Sequence, residues 1–106
     1  MSEALSFIPA TELARMIRQK TVSPVEVMRE TIQRAETLNP RLNAICTPTF
    51  DAAMQEAVEA EQAVMRGSPL GILHGVPTSI KDLAFTRGVR TMAGSHIHRD
   101  LSLIHI

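Results

Sequence analysis

A chain of 106 residues suits one small domain and leaves too little for two. Its 11 basic and 11 acidic side chains cancel, with no run of like charge, which gives no reason to expect nucleic acid or an anionic membrane as a partner. The chain does not open on a cationic segment followed by an apolar one, and no stretch approaches the roughly eighteen apolar residues of a membrane helix, so a cytoplasmic protein is expected. The single cysteine, Cys46, rules out an internal disulfide framework. No Cys-His signature surrounds it, so it is expected to be a small buried hydrophobe in a reducing compartment rather than a nucleophile.

The first predicted helix spans about 10–18, where Leu13, Met16 and Ile17 recur at the i, i+3, i+4 spacing that gathers apolar groups on one face. A second helix starts at Ser23. This serine is an N-cap, Pro24 occupies the first helical position, and Glu26 completes a capping box, while Val22 and Val27 provide a hydrophobic staple. Met28, Ile32 and Ala35 continue the apolar face. Asn39-Pro40 is expected to end the helix, because proline cannot donate the next backbone bond. The run 42–47, between Pro40 and Pro48, reads as a short strand. A third helix follows over about 51–66, with Ala53, Ala57, Ala60 and Val64 forming a narrow face suited to close approach to a sheet, and Gly67 as its stop. The run 76–81 reads as a second strand, with Pro77 near its start. Strand, helix and strand would make one right-handed βαβ unit with parallel strands, preceded by two helices.

Chemistry is concentrated in Gly71-Ile72-Leu73-His74-Gly75-Val76-Pro77-Thr78-Ser79-Ile80-Lys81-Asp82 and the glycine-rich text after it. Lys81 is expected at the C-terminal end of a strand, where α/β folds keep their reactive groups. A lysine that serves as a base at neutral pH must be held uncharged, which costs about 4 kcal/mol relative to a solvated ammonium, and burial can supply this. On residue chemistry alone, a solvated or salt-bridged lysine beside Asp82 is the simpler reading. Ser79 shares a strand face with Lys81, but adjacent same-face positions need not bring hydroxyl and amine into bonding geometry. Thr78-Ser79-Ile80-Lys81 fails as a Ser-x-x-Lys motif because threonine stands first and Pro77 precedes it. His96 and His98 alternate, yet lack the Cys, Asp or Glu companions of a metal site, and are read as surface or structural residues. His74 is expected to pack in the loop and hydrogen-bond to backbone, and Asp82 to serve a structural role. Gly75, Gly88 and Gly94 are expected where φ is positive or backbones approach closely.

The stretch from Gly71 to Asp82 resembles the opening of the amidase signature, in which a Gly-Leu-His-Gly-Val-Pro-like run leads to Lys-Asp. Further matches follow in order: Gly88-Val89-Arg90-Thr91 and Ala93-Gly94-Ser95 downstream, Val22-Ser23-Pro24-Val25-Glu26 and Leu38-Asn39-Pro40-Arg41-Leu42-Asn43-Ala44 upstream. The resemblance implies an α/β fold, here N-terminal helices plus the first βαβ portion of an incomplete mixed sheet, in a domain spanning 1–100. It also implies hydrolysis of a carboxamide through a Ser-cisSer-Lys set with Lys81 as the catalytic lysine and no metal or cofactor. In that scheme neutral Lys81 takes a proton relayed by the bridging serine from the nucleophilic serine, and backbone amides of a glycine-rich loop hold the oxyanion. Neither serine of that set nor the glycine-rich loop is expected in these 106 residues. The implied partner is a small-molecule amide, with no direct nucleic-acid or membrane partner and a homo-oligomer conceivable for the full-length enzyme. Two alternatives stand beside it: the amidase subunit of a tRNA-dependent amidotransferase, which shares these motifs, and a non-catalytic interaction module. Residues 101–106, Leu-Ser-Leu-Ile-His-Ile, depart from the family pattern. They match the translation of a transposase-type sequencing adaptor, CTG-TCT-CTT-ATA-CAC-ATC, and are expected to be a non-native tail.

Overall fold

The computed structural model describes residues 5–81, 84 and 87–89. The chain divides into two compact units, Met1–Asn43 with Thr49–Pro77, and Ala44–Pro48 with Thr78–Ile106. Three helices are described in the first unit: α1 (Ala10–Arg18), α2 (Pro24–Leu42) and α3 (Phe50–Arg66). None of them is long and apolar enough to cross a membrane.

Helix α1 has the predicted bounds, and Leu13, Ala14 and Ile17 form its buried face. It ends on Lys20, which adopts φ 63°, a left-handed conformation more often taken by glycine. The Lys20 amide donates to Ile17 O (3.1 Å) and the Thr21 amide to Met16 O (2.9 Å), the paired bonds of a Schellman stop. On the exposed side of α1, Arg15 Nε donates to Glu12 Oε2 at 2.9 Å, and a second guanidinium nitrogen pairs with Oε1. That hydrogen-bonded pairing holds the Glu12 carboxyl below its ordinary range and raises Arg15. The small stabilisation it brings is present above the unfolded-state value of the carboxyl and is lost as pH falls through the lowered one.

Helix α2 starts as its capping residues dictate. Ser23 Oγ accepts the Val25 amide (3.0 Å), the Ser23 amide donates to Glu26 Oε1 (3.3 Å), and Pro24 fills the first turn, where no amide donor is needed. The helix does not stop at Asn39-Pro40 but runs through Pro40 to Leu42. Proline at this point removes a single bond near the end of the helix, to the carbonyl of the exposed residue Glu36, which water can satisfy. The stop is Asn43, in the left-handed region (φ 51°), with its amide donating to Asn39 O (2.6 Å). The predicted strand over 42–47 is therefore not formed: Leu42 belongs to α2, Asn43 turns the chain, and 44–48 are irregular.

Helix α3 begins one residue before its predicted start and ends on Gly67 (φ 72°), whose amide meets Val64 O while that of Ser68 meets Ala63 O, both at 3.1 Å. Its small-residue face was expected to approach a sheet, but α3 packs along α2 instead. Ser23, at the start of α2, hydrogen-bonds to Glu61, in the last third of α3, so the two helices run antiparallel. The core between the helices is Leu13, Ile17, Val22, Val27 and Val64, with Leu5, Ile8, Met16, Leu70 and Val76 packed against it. Ile17 is 0 % exposed, a burial that contributes roughly 2–3 kcal/mol.

In the second unit, Thr78–Lys81 are exposed and irregular, the Ala84 amide closes a turn onto Lys81 O (2.9 Å), and Val89 takes part in an isolated β-bridge. Among the described residues no strand is formed, so the predicted strand over 76–81 and the βαβ unit are absent there. The reason is non-local: an extended segment becomes a strand only by pairing its backbone with a neighbour, and no such ladder forms among these residues.

Replacing Ser23 with alanine removes both the N-cap acceptor and the donor that Glu61 receives. A loss of about 1–2 kcal/mol is expected, read as a lowered urea midpoint with an unchanged m-value.

Candidate active site

The amidase-like motif begins where α3 ends, and six of its residues, 71–76, are folded tightly onto the helices of the first unit. The His74 amide donates to Gly71 O (3.2 Å) and the Val76 amide to Leu73 O (3.1 Å), giving two overlapping turns. Gly75 takes the third position of the second turn with φ 82°, where glycine has no steric cost. The turns are held from three directions. Arg18 of α1 donates to Ile72 O (3.2 Å), and His74 Nε2 lies 2.9 Å from Ala60 O on α3. Gly75 rests against Ile17 and Pro24: a methyl group at this position would lie 3.0 Å from Pro24 Cγ and 3.1 Å from Ile17 Cδ1. Leu70 and Val76 flank the turns and pack on the core, while the side chains of Ile72 and Leu73 face outward, 83 % and 53 % exposed.

The His74 contact defines a proton position. A carbonyl oxygen only accepts, so Nε2 carries the hydrogen, and it does so in the neutral ring and in the imidazolium alike. The expectation that His74 bonds to backbone is met, though the partner is a helix carbonyl 14 residues upstream. Such a carbonyl has a spare lone pair beyond its intrahelical bond.

Beyond Pro77 the chain belongs to the second unit. Lys81 is exposed there. Ser79 is exposed as well; Thr78 Oγ1 donates to its carbonyl (3.4 Å), and among the described residues no hydrogen bond joins Ser79 to Lys81. Cys46, expected to be buried, is exposed, because it falls in the irregular 44–48 segment rather than in a strand with a core face. Gly88 has the expected positive φ, 75°. Asp82, Gly94, His96, His98 and residues 101–106 lie outside the described residues. Among the described residues no group of three His, Cys, Asp or Glu side chains could hold a metal. Arg18, Ser23 and Glu61 escaped sequence reading as parts of this arrangement. Their partners lie 38 to 54 residues away along the chain, and no local pattern announces such pairs.

With this geometry in place, the comparisons with known proteins identify the class. The amidase family matches residues 26–102, a span that contains α3, the clamped turns and Lys81. The chain belongs to the amidase signature family. It is 37 % identical over 98 residues to AmiD of Mycobacterium bovis, itself only provisionally named an amidase, covering 92 % of this chain and 21 % of that protein. It is also 37 % identical over 93 residues to a glutamyl-tRNA(Gln) amidotransferase subunit of Carboxydothermus hydrogenoformans, covering 88 % of this chain and 19 % of that one. Its structure is similar to a bacterial aryl acylamidase of the amidase signature enzymes, with a TM-score of 0.85 and 34 % identity over 91 % of this chain and 20 % of the other. The chain thus spans about a fifth of the length of these relatives.

The two motif glycines should respond oppositely to a methyl group. Gly75→Ala meets both a positive φ and a contact at 3.0 Å, and is expected to cost about 1–3 kcal/mol. Gly71→Ala has open space within 4 Å and should be neutral or slightly stabilising. Urea midpoints of the two variants measured side by side test this contrast.

Proposed function

We propose that the chain is the N-terminal part of an amide hydrolase in which Lys81 is the base of a Ser-cisSer-Lys set. The observation that carries this reading is that the family match, residues 26–102, runs through the motif and its lysine. The similarity to an aryl acylamidase supports a carboxamide substrate. In the reaction, the bridging serine removes the proton of the nucleophilic serine and passes its own to neutral Lys81 Nζ. The nucleophile adds to the amide carbon, the amine leaves with a proton returned along the same relay, and water releases the acyl group. Both serines would come from sequence beyond these 106 residues, as would the surroundings that keep the exposed lysine uncharged. The 106-residue chain is accordingly inactive by itself, and its parent acts on a small-molecule amide in the cytoplasm, without nucleic acid or membrane as a direct partner and with self-association open to it.

The amidotransferase relative, at the same 37 % identity, favours a second reading, an amidase subunit that works in a complex. The two separate on a partner requirement: a free-standing hydrolase cleaves an aryl amide alone, whereas a subunit of a complex needs its partner chains for activity.

In the full-length enzyme, Lys81→Ala is expected to lower the acylation rate roughly 10²- to 10⁴-fold while leaving the protein folded. The burst of amine released from an activated anilide reads this directly. A near-normal burst would remove Lys81 from the mechanism.

A further inference from the structure

The motif turns touch all three helices of the first unit. Six residues that form no helix or strand receive a guanidinium on one carbonyl, an imidazole bond to α3, two turn bonds and a close packing contact at Gly75. None of these contacts involves Lys81. Ile72 and Leu73 remain exposed, so hydrophobic burial of the turn tip does not explain the arrangement. What the anchors do fix is the point at which the chain leaves the helices. Val76 packs on the core, and Lys81 follows five residues later, at most roughly 17 Å of extended chain.

We propose that His74 is a positioning residue for Lys81, anchoring the turn to Ala60 of α3 and so setting where the lysine-bearing segment begins. The inference rests on the reading of Lys81 as the base. Its physical basis is that a base must lie within hydrogen-bond reach of the proton it receives, and a misplacement of about 1 Å from a remote change can cost on the order of 10²-fold in rate. His74 is suited to this task because its ring reaches across to α3, where the Ala60 carbonyl can only accept and Nε2 therefore donates. A glutamine in its place would put an amide donor at a similar reach, whereas a leucine would fill the space and donate nothing.

The test uses the full-length enzyme with His74→Leu, His74→Gln and Lys81→Met, each followed by kcat, KM, thermal midpoint and a pH–rate profile. His74→Leu is expected to lower kcat tenfold or more, with KM within about twofold, and to move the acidic limb of the profile, which reports the base. His74→Gln is expected to restore both the rate and the limb. An unchanged kcat in His74→Leu, or a loss that follows only the folded fraction with the limb unmoved, overturns the positioning role. If Lys81→Met is inactive while His74→Leu is normal, only this inference fails. Near-normal turnover in Lys81→Met would remove the base itself, and the positioning role with it.

Discussion

Gly75 pressed against Ile17 and Pro24 is the contact on which the arrangement of the first unit depends. The left-handed turn there brings the chain back onto the helices, and only hydrogen fits between its α-carbon and the two side chains. The same contact joins three separate pieces of sequence: the last turn of α1, the first turn of α2 and the motif after α3. Ile17, the fully buried side chain of the core, therefore faces both the helices and the motif turn. Without that close approach, Leu70 and Val76 would lose the core they pack on, and the bonds from Arg18 and His74 would have no fixed carbonyl or ring to engage.

Charge contributes to the arrangement mostly through hydrogen bonds. The Arg15–Glu12 pair is exposed and screened, so it shapes α1 more than it stabilises the unit. Ser23 does more with less: one hydroxyl accepts the Val25 amide and donates to Glu61, so the start of α2 and the later part of α3 are fixed by the same atom. Arg18 uses its guanidinium on a neutral carbonyl, which positions backbone rather than neutralising charge.

The helices were legible in advance because their determinants are local. Ser23, Pro24 and Glu26 define the start of α2 within four residues, Gly67 ends α3, and the apolar spacing of α1 gave its bounds. The exceptions have physical causes of equal clarity. Pro40 near a solvent-exposed helix end removes one replaceable bond rather than breaking the helix, and Lys20 and Asn43 accept a left-handed conformation that composition does not advertise. The two expected strands failed because pairing is a property of two segments, and periodicity inspects one at a time. The exposure of Cys46 follows from the same failure.

By itself the sequence determined the three helical segments, the positive φ of Gly75 and Gly88 and the membership of an amidase family, since each is written in contiguous residues. Only the tertiary structure decided that α3 lies antiparallel on α2, that His74 bonds to Ala60 and Arg18 to Ile72, and that Gly75 sits against Ile17 and Pro24. Those contacts join residues 14 to 58 positions apart, and their energy exists only once the chain has been brought together.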